Sequence, residues 1–101
     1  MRAMLAALHG VLDGLARQAR QDMATAAAGG GTRIAVDTDP EVAEQLPPEF
    51  IALGTATHEA FDSLASSIEG GASRDLVVER LSRLTGYCVT CHSSYRLETR
   101  P

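Results

Sequence analysis

The sequence predicts an all-α fold, and three observations support this prediction. Apolar residues recur at intervals of three and four along several segments, which is the period of an amphipathic helix. No alternation typical of a β-strand is longer than the short stretch RIAVD, residues 33–37. Aromatic residues make up only 4% of the 101 residues, and this composition favours helices that approach closely. We expect a single domain that spans residues 1–101.

The first helical segment begins at the N-terminus. Its apolar stripe consists of Met1, Leu5, Leu8, Leu12, Leu15 and Ala19. Two glycines weaken this helix, and either one long helix or two short ones broken near residues 14–17 fit the pattern equally well. Residues 18–28 again favour a helix, until GGGT at residues 29–32 interrupts it. The stretch 29–48 is the least regular and predicts the long connection.

The second clear helix begins at Pro47-Pro48, because proline suits the first turn of a helix. Its apolar stripe consists of Phe50, Leu53, Thr57, Phe61, Leu64 and Ile68. Gly70 and Gly71 follow the stripe and predict a glycine C-terminal cap.

The last helix is predicted to begin after Ser73, which can act as the N-cap, with Asp75 in the first turn. Its apolar face consists of Val77, Leu81, Leu84, Cys88, Cys91 and Tyr95. Both cysteines of the chain are therefore predicted to lie on the buried stripe of an uninterrupted helix.

Residues 88–92 form the motif Cys-x-x-Cys-His, which suits covalent attachment of haem. Cysteines at positions i and i+3 share one face of a helix, so that each sulfur can reach one vinyl group of the same porphyrin. His92 lies about 40° from Cys88 around the helix and can turn a ring nitrogen onto the iron.

Three other interpretations of the two cysteines compete with haem attachment. A thiol–disulfide couple would place Cys-x-x-Cys at the N-terminus of a helix that follows a strand, whereas Cys88 comes about four turns into its helix. Zinc takes four ligands, the motif supplies at most three, and His9 or His58 would have to complete the set. The third interpretation is a purely structural pair of buried cysteines.

The charge and hydropathy of the chain exclude several classes of function. A net charge of −4 and a pI near 5.2 argue against nucleic acid as a partner, because no basic stripe exists to neutralise phosphates. No apolar run approaches the roughly 20 residues of a membrane span. The first segment is amphipathic and lacks a signal-peptide cleavage pattern, so we expect the sequence to be that of the mature chain. No nucleophile–base pair or phosphate-binding loop is visible, and we expect no enzymatic activity.

The C-terminal segment LSRLTGYCVTCHSSYR, residues 81–96, resembles that of the cytochrome c prime family. Members of this family carry Cys-x-x-Cys-His close to the C-terminus, and the resemblance extends over residues 47–97. It implies an up-down-up-down four-helix bundle in which one helix is short or irregular. It also implies one covalently attached haem c, with thioether bonds from Cys88 and Cys91 and with His92 as the proximal ligand. Covalent assembly of this kind implies a periplasmic location.

The resemblance also implies that the distal side of the iron faces the first helix. Met4, about 60° from the axis of the apolar stripe, is the candidate sixth ligand; if it does not bind, Leu5 or Leu8 would screen the iron. His9 is expected to be a solvated or boundary residue. His58 is expected to bond a haem propionate or a neighbouring carboxylate, and Arg96 can pair with a propionate.

We therefore expect a soluble monohaem c-type cytochrome that transfers electrons to or from a redox partner protein. The alternative is a five-coordinate haem protein that binds NO or CO, in gas scavenging or sensing. A third reading is a haem-free helical interaction domain. The resemblance also leaves a homodimer open.

Overall fold

The computed structural model describes residues 2–33, 41 and 44–95 of the chain. Within these residues the helices are α1 (Arg2–Ala16), α2 (Arg20–Ala28), α3 (Pro48–Glu69) and α4 (Arg74–Ser94). No β-strand occurs in the described part of the chain. The predicted all-α fold is confirmed: the four helices pack as an up-down-up-down bundle in which α2 is the short member. Nine of the 20 residues of the predicted long connection, and four of the five residues of RIAVD, lie outside the described residues.

The N-terminal segment consists of two helices rather than one. Gln18 adopts a left-handed backbone conformation with φ of 57°, and the amide of Ala19 donates to the carbonyl oxygen of Gly14 at 2.8 Å. This arrangement is a C-terminal cap that ends α1 and reverses the chain. Of the two alternatives left open by the sequence, two short helices with a break near residues 14–17 are observed, because α1 ends at Ala16 and α2 begins at Arg20.

The buried face of α1 differs from the predicted stripe by one residue. The buried positions are Ala7, Val11 and Gly14, whereas Leu5 is 66% exposed and Leu12 is 50% exposed. A shift of one residue turns a helix by about 100°, so the prediction for Leu5 and Leu12 was wrong, and Met1 lies outside the described residues.

Close contact with α2 is the physical reason for this rotation of α1. A Cβ atom placed on Gly10 would lie only 2.6 Å from the Cβ atom of Ala26, and one on Gly14 would lie 2.6 Å from Cγ of Met23. Small residues on this side of α1 admit α2, and the leucines are consequently turned toward the rim of the core.

Helix α3 agrees with its prediction at both ends. It begins at Pro48, and Gly71 takes φ of 92° just after the helix ends at Glu69, so the predicted glycine cap is confirmed. Four of the six stripe residues are buried, namely Thr57, Phe61, Leu64 and Ile68. Phe50 and Leu53, nearer the start of the helix, are only half-buried.

Helix α4 is also capped as predicted, because the amide of Leu76 donates to Oγ of Ser73 at 3.2 Å. The helix continues without interruption to Ser94. The first residues of its stripe are buried, namely Val77, Leu81 and Leu84, whereas the later ones, Cys88, Cys91 and Tyr95, are half-buried. The predicted buried stripe is therefore correct in the first half of α4 and overstates burial in the second.

The core lies between all four helices, each of which contributes buried residues to one cluster. Because α2 has nine residues and α3 has 22, α2 accompanies α3 over less than half of its length. None of the described helices combines the length and the apolar character that crossing a membrane requires.

Candidate functional site

The candidate site lies where α4 ends, opposite the first turns of α3. The rings of Phe50 in α3 and Tyr95, just after α4, meet with centroids 5.1 Å apart and planes 89° apart. Tyr95 adopts an extended conformation, with φ of −132° and ψ of 142°, and thereby ends the helix. This contact fixes the last turn of α4, which carries Cys91 and His92, against α3.

Cys88 and Cys91 lie one helical turn apart on the same side of α4. Both are free thiols, and both are half-buried. Cys88 packs against the buried core, so its sulfur lies at the boundary between the core and the surface. Two thiols in this arrangement can react with the same molecule from one side.

Burial raises the pKa of the Cys88 thiol above its ordinary value, and the neighbouring Cys91 raises it further. A raised pKa keeps the sulfur protonated at neutral pH. A redox-active Cys-x-x-Cys pair depends on a thiolate whose pKa is lowered by a helix N-terminus or by a nearby cation. The environment of Cys88 therefore does not favour the thiol–disulfide interpretation.

His92 is exposed in the last turn of α4, and it borders a shallow surface depression together with Ser93, Ser94 and Tyr95. Its imidazole follows directly after Cys91 in the chain. The structure thus brings two half-buried sulfurs and one accessible imidazole to the same end of one helix, which is the donor set that a covalently attached haem requires.

Met4 lies at the same end of the bundle as the cysteines, because α1 runs from that end to the turn that precedes α2. Its side chain is half-buried and packs against the same core as Cys88. Leu8, one turn later, is also half-buried against this core, whereas Leu5 is exposed. Leu5 and Leu8 were the two residues expected to cover the distal side of a haem iron in place of Met4. Only Leu8 is oriented toward the interior.

The other histidines differ in their surroundings. His9 is exposed on α1, as expected. Nδ1 of His58 donates to the carbonyl oxygen of Gly30 at 2.8 Å, a backbone partner that the sequence did not predict. The expected bond to a haem propionate stays a prediction. The role of His58 in the structure is to hold the end of α2 against α3. Arg96 lies outside the described residues.

Within residues 2–33, 41 and 44–95, no three His, Cys, Asp or Glu side chains come close enough to hold a metal ion. The zinc interpretation therefore gains no support from the described residues, since neither His9 nor His58 joins the motif. A haem iron needs no such cluster, because the porphyrin itself supplies four of its ligands.

No known protein family, no characterised protein and no solved structure matches this chain. The function must therefore be inferred from the described side chains and from the motif that they form. The motif residues Cys88, Cys91 and His92 were all identified in the sequence.

Two features of the site were missed. The contact between Phe50 and Tyr95 depends on how α3 and α4 align, and only the presence of an aromatic residue near each helix end could have suggested it. Gly54 lies beside the apolar stripe of α3, and a glycine in the interior of a helix was the signal that could have drawn attention to it.

Proposed function

We propose that the chain is a monohaem c-type cytochrome that carries electrons. The observation that carries this proposal is the pair of half-buried free thiols, one turn apart on α4, with an exposed imidazole directly after the second. The resemblance of residues 47–97 to the cytochrome c prime family supports the same function.

The two thiols attach the cofactor. In each attachment the S–H bond adds across a vinyl double bond: sulfur bonds to one vinyl carbon and the hydrogen goes to the other, so that no oxidant is consumed. Because Cys88 and Cys91 share one side of α4, a single rigid macrocycle can receive both bonds.

His92 would supply a nitrogen ligand to the haem iron, and Met4 would supply a thioether. A haem held by these residues would supply a one-electron redox centre. The apolar side chains around Cys88 would exclude water from the haem, and the soft sulfur of Met4 would favour the ferrous state and thereby raise the reduction potential.

The proposed partner is another redox protein. The net charge of −4 favours association with a basic surface and makes the association rate depend on ionic strength. A periplasmic location is part of the same proposal, because the resemblance implies covalent assembly outside the cytoplasm.

The five-coordinate, gas-binding function is the second candidate. It is favoured by the place of Met4 in the first turn of α1, where the backbone amides have no partner within the helix. With Met4 displaced, the half-buried side chain of Leu8 would stand on that side and leave the iron open to small gases.

Extraction with acid and acetone tests the proposal. In the holoprotein, haem should remain on the polypeptide after extraction, and replacing both Cys88 and Cys91 with Ala should abolish this retention. His92→Ala should keep the covalent haem but shift the optical spectrum, whereas His9→Ala, at an exposed histidine of α1, should leave the spectrum unchanged. Release of all haem from the wild type would refute the proposal.

The optical spectrum then separates the two candidates. Low-spin bands with a methionine charge-transfer band support electron transfer with Met4 bound to iron. High-spin bands and rapid binding of CO support the gas-binding function. The absence of a Soret band would exclude both haem functions and would favour the haem-free interaction domain.

A further inference from the structure

Gly54 lies on the core-facing side of α3, although it has no side chain. Phe61 and Ile68, both fully buried, follow it at intervals of seven residues. Positions seven apart differ by only about 20° around a helix. A side chain at position 54 would therefore point in nearly the same direction as the rings and methyl groups that build the core.

Among the described residues, the space in front of Gly54 is open. A Cβ atom placed there would come within 4 Å of no described atom outside its own stretch of helix. The glycines around α2 behave differently: a Cβ atom on Gly30 would lie 2.8 Å from the ring of Phe61, and one on Gly10 would lie 2.6 Å from Ala26. Close packing explains Gly10 and Gly30, but no described neighbour requires a glycine at position 54, in the interior of a helix that glycine disfavours.

Along the axis of the bundle, Gly54 lies at the same level as the cysteines. Helices α3 and α4 are antiparallel, and the contact between Phe50 and Tyr95 sets their alignment. Gly54 comes four residues after Phe50, and Cys91 comes four residues before Tyr95, so each lies about 6 Å from the aromatic contact toward the core. By the same alignment, Thr57 lies level with Cys88, and its hydroxyl donates to the carbonyl oxygen of Leu53 at 2.8 Å, within its own helix.

We propose that Gly54 makes room for the flat, apolar ring that Cys88 and Cys91 hold, so that the ring lies against the bare backbone of α3. This inference rests on the proposed haem function and assigns a positioning role to a residue outside the motif. Three observations agree: the described residues leave space in front of Gly54, this position faces the core, and it lies at the level of Cys91 along the bundle axis. A larger side chain at position 54 would occupy the space of the ring.

The experiment compares Gly54→Leu with Gly86→Leu. Gly86 is also an interior helical glycine with open space around its Cβ position, but it is exposed and lies about 160° around α4 from Cys88. Helix content and urea midpoint are measured first on the apoproteins, and neither should fall, because leucine is the better helix former. Covalent haem per polypeptide is then measured after assembly of the holoproteins. Gly54→Leu should lower it at least fivefold or shift the Soret band, and Gly86→Leu should match the wild type.

Each outcome decides one of the two proposals. If the wild type carries covalent haem and Gly54→Leu carries as much with an unchanged spectrum, the role of Gly54 is refuted while the cytochrome function stands. If the wild type carries none, both fail. If the leucine variant loses helix content, the haem loading of Gly54→Ala is measured in its place. This smaller change should leave the fold intact, since one methyl group meets no described atom there. Full loading of Gly54→Ala with an unchanged spectrum would then overturn the inference.

Discussion

The rings of Phe50 and Tyr95 meet edge to face, with centroids 5.1 Å apart, and join the first turn of α3 to the residue that ends α4. The edge of one ring, which carries positive partial charge, points at the negative face of the other, and this geometry is favourable beyond the area that it buries. Both residues are half-buried, so the contact lies at the rim of the bundle rather than in its core. It therefore fixes the segment of α4 that carries Cys91 and His92.

We predict that Tyr95→Ala lowers the free energy of unfolding by about 1–2 kcal/mol, because both the ring contact and the buried ring area are lost. Tyr95→Phe keeps the ring and should stay close to the wild type. Urea unfolding of the two variants checks this. A double-mutant cycle with Phe50→Ala should give a coupling of about 0.5–1.5 kcal/mol, and additive effects of the two single changes would contradict the contact.

Val11 and Leu12 distinguish the observed orientation of α1 from the one that the apolar stripe suggested. Val11 is fully buried, so Val11→Ala should cost about 2 kcal/mol through lost apolar burial and a small cavity. Leu12 is 50% exposed, and Leu12→Ala should cost less than about 1 kcal/mol. Thermal or urea unfolding measures the loss of stability in both variants. A larger loss for Leu12→Ala than for Val11→Ala would favour the orientation of α1 that the apolar stripe predicted.

The raised pKa of Cys88 predicts slow reaction with iodoacetamide. At pH 8 the folded apoprotein should be alkylated at Cys88 more slowly than the same chain unfolded in urea, because less thiolate is present in the fold. Peptide mass spectrometry at several pH values measures the two rates. Equal rates across this range would contradict the burial of the thiol.

The same pKa fixes the sign of a pH dependence of stability. The folded state holds the Cys88 proton more tightly than the unfolded state, so this contribution is fully present below the unfolded pKa. It is lost as the pH rises through the higher, folded pKa. The urea midpoint of the apoprotein should therefore decrease as the pH rises through this alkaline range. Cys88→Ala should remove the part of the decrease that comes from this thiol.

Met4 is predicted to bind the iron, so Met4→Ala should convert low-spin iron to high-spin and open a site for CO. Optical spectra of the ferric and CO-bound holoprotein measure the change. Met23→Leu is the matched control, because Met23 is a buried methionine of α2 and its replacement should leave the spectrum unchanged. A wild type that is already high-spin and binds CO rapidly would refute the ligand and support the gas-binding function.

The sequence predicted α3 and α4 well and α1 less well, for a physical reason. Helix ends depend on local features, and Gly71 and Ser73 carry these features in their own residue types. The buried face of α1 depends on its neighbour: α2 approaches along the side of Gly10 and Gly14, and hydrophobicity alone gives no weight to glycine. A pattern of leucines therefore predicted a helix correctly and its rotation incorrectly.

The same distinction applies to the candidate site. Cys88, Cys91 and His92 are predictable because their spacing within one helix sets their geometry. The positions of Phe50 and Gly54 relative to them depend on the alignment of two helices, which is known only once the turn between α3 and α4 is placed. His58 shows the same limit, since its partner is a backbone oxygen at the end of α2 rather than a side chain.

The uneven distribution of burial has a consequence for how the chain opens. Buried side chains of α3 and α4 extend from their connecting turn as far as Thr57 and Leu84, and the stripe residues beyond them are half-buried. Backbone amides in the last turns of α4 should therefore exchange with deuterium through local fraying, while those near Val77 exchange only when the whole domain unfolds. A molecule that reacts with the two sulfurs can thus reach them in a chain whose remaining part is already folded.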